Sequence, residues 1–133
     1  MFPHPLYRQI VLEPAYDDAS RYLFGPMLAA NRAHVRMLAR QEIIQPECAQ
    51  KILQALDEVE EMGIEAFPYQ PPTEDLFFAV EGKVIELAGA ECGGNLQLAR
   101  SRNDLGAALG RMALRELQLE IMSDQVALRR AIL

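Results

Sequence analysis

The stretch that decides how this chain is organised is GGNLQLARSRND, residues 93–104. Adjacent glycines allow backbone conformations that residues with a Cβ avoid, so we predict a tight turn at Gly93 and Gly94. A polar run then opens onto the longest segment of apolar periodicity in the sequence, which continues to Leu133. Because Asn103 and Asp104 are favoured helix caps, the stretch is predicted to be a turn that begins a long helix.

The start of that helix is also suited to an anion. Free N–H groups and the positive end of the helix dipole attract negative charge at a helix N-terminus. Arg100, Ser101, Arg102 and Asn103 would lie there, and guanidinium groups bind carboxylate or phosphate through paired hydrogen bonds. The same residue types are found in a solvated loop whose Asn or Asp only caps a helix. Residue types alone therefore leave both interpretations open.

The composition indicates an all-α fold with one small core. Of 133 residues, 50% are hydrophobic and 24% are charged, helix formers dominate, and no stretch alternates convincingly at the strand period. A formal net charge of −6 argues against a nucleic-acid partner. The sequence has no signal-peptide pattern and no apolar run near the roughly 18 residues of a membrane span, so we predict a cytoplasmic protein without a membrane partner.

The cysteines match no metal-binding or redox spacing. Cys48 and Cys92 lie far apart, and the two histidines, His4 and His34, complete no ligand cluster with them. We therefore predict no metal, no cofactor, and two reduced cysteines in a reducing compartment.

Proline, glycine and capping residues divide the chain into three predicted parts. Residues 1–25 are predicted to form an extended arm with at most one short helix near 17–24. Residues 26–103 are predicted to form a helical domain. Its first two helices, from Pro26 to about Gln41 and from Pro46 to Gly63, form an antiparallel hairpin. After a proline-rich linker, a third helix is predicted to be capped by Thr73, with Glu74 and Asp75 in its first turn.

Residues 104–133 are predicted to be the start of a long bundle helix. Apolar side chains cover more than one stripe of it, so it must be buried on several sides, which one small domain cannot provide. Since the pattern stops at Leu133 without a cap, we expect a truncated chain or one that other subunits complete.

Residues 94–104, GNLQLARSRND, resemble the first signature region of argininosuccinate lyases, which reads roughly G-K-L-H-T-G-R-S-R-N-D. Upstream, EDLFFAVE at residues 74–81 resembles the family's E-D-I-H-x-A-I-E. The similarity spans about Asp17 to Leu133. It implies the N-terminal helical domain of a fumarase/aspartase-type lyase, leading into a central-bundle helix.

This resemblance implies a function and assigns site residues. Such a lyase eliminates the amine from an N-substituted aspartate, here argininosuccinate, to give fumarate and arginine. Ser101, Arg102 and Asn103 would bind the dicarboxylate half of the substrate, while Arg100 and Asp104 would hold the loop and the helix cap in shape.

Asn31 is a further candidate for substrate binding, because it stands where the family usually has a serine that touches substrate. The family's base lies on a segment beyond Leu133, and its sites combine three subunits of a homotetramer. The resemblance therefore implies no catalytic residue in this segment, no activity of the segment alone, and further copies of the chain as partners.

Several positions depart from the family pattern. The family's Lys, His, Thr and Gly before the first signature arginine are replaced here by Asn95, Gln97, Leu98 and Ala99. Its His in E-D-I-H is Phe77, and its Gln after the signature is Leu105. These departures leave three alternatives: a sibling lyase acting on another N-substituted aspartate or aminopolycarboxylate, a non-catalytic structural protein like the family's lens crystallins, and a helical interaction module.

Overall fold

The computed structural model describes residues 3–133, and within that range the chain is helix and connecting loop without a strand. The predicted all-α fold is therefore confirmed. Residues 1–2, the first two positions of the predicted arm, lie outside the described residues. The division at 1–25, 26–103 and 104–133 stays a prediction.

The N-terminal segment is helical, so the prediction of an extended arm is wrong. Helix α1 (Pro5–Tyr7) continues through a π-helical turn (Arg8–Leu12) into α2 (Glu13–Tyr22). Pro5 lies in the first turn of α1, where a missing N–H costs no intrahelical hydrogen bond, and Pro14 lies at the junction of the π-helical turn with α2. The buried Tyr16 fixes α2 to the domain, because its hydroxyl donates to the Phe67 carbonyl at 2.9 Å.

The predicted hairpin of two helices is confirmed. Helices α3 (Phe24–Arg40) and α4 (Pro46–Met62) have 17 residues each, and α4 stops at Gly63, whose φ of 72° favours glycine. Arg32, in the middle of α3, donates to Asp57 and to Glu60 near the end of α4, both at 2.7 Å. Because only residues 41–45 connect these two packed helices, they run antiparallel.

The remaining helices are α5 (Leu76–Ala88), α6 (Ala90–Gly93) and α7 (Arg102–Ile132), with a 3-10 turn (Gly94–Gln97) after α6. Helix α5 packs on α4, α6 contacts both of them, and the start of α7 packs on α3.

The N-cap of α5 is Asp75, so the prediction that Thr73 caps this helix is wrong. The Asp75 Oδ1 accepts a hydrogen bond from the backbone N–H of Phe78 at 3.1 Å. The helix consequently begins two residues later than the sequence indicates.

The core lies between α3, α4 and α5, with contributions from α2 and from the first turns of α7. Eleven side chains in it have less than 2% of their surface exposed: Leu28, Asn31, Val35, Leu38, Ile52, Leu56, Val59, Leu76, Val80, Val84 and Leu96. Asn31 is the one buried polar residue within the part of the chain that the structure describes.

Cys48 and Cys92 form a disulfide, so the prediction of two reduced cysteines is wrong. They are 44 positions apart, and their spacing gives no sign of a pair. The packing of α6 on α4 brings the two Cα atoms to 4.8 Å, which is within the range that a disulfide spans.

Helix α7 leaves the domain after its first turns. It has 31 residues, of which only Leu105 and Leu109 are buried, and its apolar side chains from Leu114 to Leu133 are exposed. Among the helices of residues 3–133, none has the length and apolar character needed to cross a membrane.

Candidate functional site

The cap of α7 is Ser101, which lies two positions before Asn103 and three before Asp104, the two predicted caps. The Ser101 Oγ accepts from the Asp104 backbone N–H at 3.2 Å, and the Asp104 Oδ2 accepts from the Ser101 N–H at 3.0 Å. This reciprocal pair is a capping box. The backbone N–H of Ser101, together with its hydroxyl, holds the pKa of the Asp104 carboxyl below its usual value. The predicted role of Asp104 in shaping the cap agrees with this geometry.

Arg102 is held at the first position of α7 by groups from α5. One of its Nη2 hydrogens is donated to the Asp75 Oδ2, and its guanidinium carbon lies 4.4 Å from the ring centre of Phe78 and 5.3 Å from that of Phe77. Cation–π contact and charge pairing thus fix the plane of the guanidinium. Because Asp75 also caps α5, one carboxylate joins the N-termini of two helices.

Arg102 retains donors for a ligand. Its side chain is 46% exposed, and a carboxylate oxygen occupies only one of the five N–H donors of a guanidinium. A cavity of about 150 Å³ lies beside it. Apart from Arg102 and Asp75, the cavity has apolar walls: Ala19, Leu23, Met27, Leu76, Phe77, Leu105, Gly106 and Leu109.

Asn103 occupies the second position of α7 and is exposed. Among the hydrogen bonds of residues 3–133, none involves its side-chain amide, whereas Ser101 and Arg102 are both engaged. The structure therefore brings Ser101, Arg102 and Asn103 to one helix terminus. Of the three, Asn103 is the residue whose side chain takes part in none of the described hydrogen bonds.

Arg100 lies beneath this terminus and connects it to α3. Its Nη2 donates to the Asn31 Oδ1 at 2.6 Å, and its Nε donates to the Gln97 Oε1 at 3.0 Å. Burial lowers the pKa of Arg100, and the nearby carboxylates of Glu81 and Asp104 act in the opposite direction. The predicted role of Arg100 in shaping the loop agrees with these contacts.

The structure places Asn31 below the loop, in contact with Arg100 rather than on an open surface. Its amide oxygen and that of Gln97 both face the guanidinium, so their NH2 groups must point elsewhere. Within residues 3–133 neither the Asn31 Nδ2 nor the Gln97 Nε2 has a hydrogen-bond partner, although both are buried. The assignment of Asn31 to substrate binding stays a prediction.

The turn before Ser101 is made by Ala99, not by the two glycines. Gly93 and Gly94 both have φ near −59°, in the right-handed helical region, whereas Ala99 has φ 59°. The predicted glycine turn is therefore wrong in its position. Next to Ala99, the Leu98 carbonyl contacts the His34 Nε2 at 2.9 Å, and burial lowers the pKa of His34. The left-handed residue stands where the resembled family has glycine.

Replacing Ala99 by glycine is expected to stabilise the protein by roughly 0.5–1 kcal/mol. The Cβ of an alanine in the left-handed region costs about 1–2 kcal/mol, which glycine avoids. Part of this gain is offset, because glycine also makes the unfolded chain more flexible. Urea unfolding of Ala99→Gly measures the difference. The control is Ala107→Gly in the exposed part of α7, where glycine should cost about 1 kcal/mol. Equal losses in both variants would contradict a strained Ala99.

Sequence reasoning missed the contacts that shape this site. Arg102 is contacted by Asp75 and Phe78, which lie 27 and 24 positions before it in the sequence. Arg100 is contacted by Gln97, which lies 3 positions before it. Only the last separation is local. The signal that existed was the S-x-x-D pattern of Ser101 and Asp104, which is a variant of the capping box and marks the observed cap.

Known proteins similar to this chain are argininosuccinate lyases. The chain is 36% identical over 93% of its length to argininosuccinate lyase 1 of Shouchella clausii, of which it covers 25%. It is 45% identical over 86% of its length to the argininosuccinate lyase of Halobacterium salinarum, of which it covers 23%. Against that of Methanothermobacter thermautotrophicus it is 43% identical over 71% of its length and covers 20%.

The chain thus spans about a quarter of the length of the curated relatives it matches. No family model matches the chain, and no solved structure matches it.

Proposed function

We propose, from the premise that this chain is an argininosuccinate lyase-like segment, that it supplies the dicarboxylate-binding part of a carbon–nitrogen lyase. The reaction is the elimination of arginine from argininosuccinate to give fumarate. Ser101, Arg102 and Asn103 bind the carboxylates of the aspartate half. The observation that carries the proposal is the placement of these three residues at one exposed helix N-terminus, above a loop that Arg100 holds.

The chemistry of the reaction explains why such a terminus is useful. When a proton leaves the carbon next to a carboxylate, negative charge develops on that carboxylate before the C–N bond breaks. Donors fixed in advance stabilise this charge, and such electrostatic stabilisation is usually the largest catalytic contribution. The dipole of α7, the free donors of Arg102 and the amide of Asn103 act in this sense. The base that takes the proton is assigned to no residue of this chain.

The protein that contains this chain is expected to release fumarate from argininosuccinate, measured by ultraviolet absorbance. Asn103→Ala should lower kcat/KM by about 10²–10³, the loss typical of one donor to a developing oxyanion. Its unfolding free energy should stay within about 0.5 kcal/mol of the parent, because Ser101 is the cap. Gln50→Ala, an exposed amide truncation on α4, is the matched control and should change neither quantity.

The outcomes of this assay separate the competing functions. Loss of activity without loss of stability in Asn103→Ala supports the proposed site. Fumarate release from a different N-substituted aspartate, but not from argininosuccinate, would reassign the amine half of the substrate. No release from any such compound would contradict a lyase and leave a structural or interaction role.

The exposed apolar side of α7 supports a second part of the proposal, which is self-association as a homotetramer. Seven apolar side chains on it have from 41% to 66% of their surface exposed: Leu114, Leu117, Leu119, Ile121, Met122, Val126 and Leu128. A helix this apolar is stable in water only when other helices cover it. We further propose that the protein acts in the cytoplasm, as an enzyme of arginine biosynthesis.

A further inference from the structure

We propose that Cys48 and Cys92 form a thiol–disulfide exchange site whose oxidation state controls how ordered the loop before Ser101 is. The inference goes beyond the proposed lyase function, and its test needs neither substrate nor activity. The ligand that it takes is a small dithiol or a protein dithiol, which reduces the bond by exchange.

The disulfide anchors the start of the segment that leads to the site. Cys92 lies in α6, which has four residues and is too short to be stable by its own hydrogen bonds. The Asn95 Nδ2 donates to the carbonyls of Glu91 and Cys92 at 2.9 and 3.1 Å, so the following turn is fastened to α6. Through Cys48, α6 is in turn bonded to the first turn of α4.

Leu96, in the middle of this segment, is buried in the core, and the loop that follows it is held by few polar contacts. The Leu98 carbonyl contacts His34, and Arg100 reaches Asn31 in α3. Between them, Ala99 has a left-handed backbone conformation, which is strained for a residue with a Cβ. Segments with few contacts and local strain open at low free energy. Loss of the covalent anchor is therefore expected to increase local opening of residues 94–101, in addition to any loss of global stability.

The exposure of the two cysteine residues sets the expected order of the exchange. Cys48 is half-buried, whereas Cys92 is only 6% exposed, so an incoming thiolate reaches the Cys48 Sγ. That attack forms a mixed disulfide and breaks the bond to Cys92, which leaves as a thiolate and takes up a proton. The second thiol of the dithiol then attacks the mixed disulfide and releases Cys48. Two electrons pass from the dithiol, which becomes a disulfide, to the cysteine pair.

The experiment compares the chain purified without reductant with the same chain in dithiothreitol. Before reduction, alkylation of the unfolded chain should label no thiol, and after reduction it should label two. Amide hydrogen exchange in residues 94–101, which proceeds through local opening, should accelerate by about tenfold or more, and by clearly more than in a variant that has lost global stability alone. Cys48→Ala/Cys92→Ala should show the accelerated pattern and should not respond to dithiothreitol.

The control separates local loosening from general destabilisation. Val59→Ala removes fully buried volume from α4 and leaves the disulfide in place, so residues 94–101 should not loosen selectively. Two free thiols in the chain purified without reductant would overturn the proposal. It would also be overturned if reduction accelerated exchange in residues 94–101 no more than Val59→Ala does.

Discussion

Reduction of the Cys48–Cys92 bond is expected to lower the free energy of unfolding by about 4 kcal/mol at 25 °C. The bond closes a loop of 44 positions, and the loop-closure entropy that it removes from the unfolded chain gives that magnitude. A domain of this size is commonly stable by only about 5–15 kcal/mol, so the loss is a large part of the whole. Urea unfolding with and without dithiothreitol measures it.

Two further samples test the cause of that loss. Cys48→Ala/Cys92→Ala should be destabilised to a similar degree and should be insensitive to dithiothreitol, because the reductant then has no bond to break. Unfolding free energies within about 0.5 kcal/mol of each other for the oxidised and reduced parent would contradict the prediction. Such a result would mean that the loop is already restricted in the unfolded chain.

The sequence predicts the elements of this fold that depend on local signals. Helix α4 is an example, because Pro46 marks its first turn, Gly63 its end, and a stripe of apolar residues its buried side. The long α7 follows in the same way from its uninterrupted periodicity. In each case the signals lie within a few positions of the element that they define, so no knowledge of tertiary contacts is needed.

The sequence fails where two distant segments decide the structure. Prolines at the N-terminus predict a break, whereas Pro5 begins α1 and Pro14 lies in the first turn of α2, which the hydrogen bond from Tyr16 to the Phe67 carbonyl fixes to the domain. The disulfide depends on how α6 packs on α4, which no spacing rule reports. The same holds for the pairing of Asp75 with Arg102.

The candidate site, like the fold, was predictable from the sequence only in part. Its location at the start of α7 was predictable from RSRN and the helix pattern. Which of its residues caps the helix was not predictable, because Ser101, Asn103 and Asp104 are all good capping residues. Only the geometry assigns the cap to Ser101 and Asp104 and leaves the Asn103 amide unused among the described contacts.

Replacing Gly93 by alanine is expected to destabilise the protein by about 3 kcal/mol, the upper part of the usual range for overpacking. A Cβ at this position would lie 2.6 Å from the Ile85 Cα and 3.2 Å from the Val84 carbonyl oxygen. Both are backbone atoms of α5, so no side-chain rotation relieves the clash, and α6 must move away. Urea unfolding of Gly93→Ala, followed by comparison with the parent, measures the cost.

Gly94 offers a matched control one position further along the chain. Its φ is also −59°, but a Cβ there would meet nothing within 4 Å. Since alanine tolerates this backbone and restricts the unfolded chain, Gly94→Ala should be neutral or more stable by up to about 1 kcal/mol. Equal unfolding free energies for the two variants would show that α6 yields without cost. A loss confined to Gly93→Ala would establish that the glycine is needed because α6 lies directly against the backbone of α5.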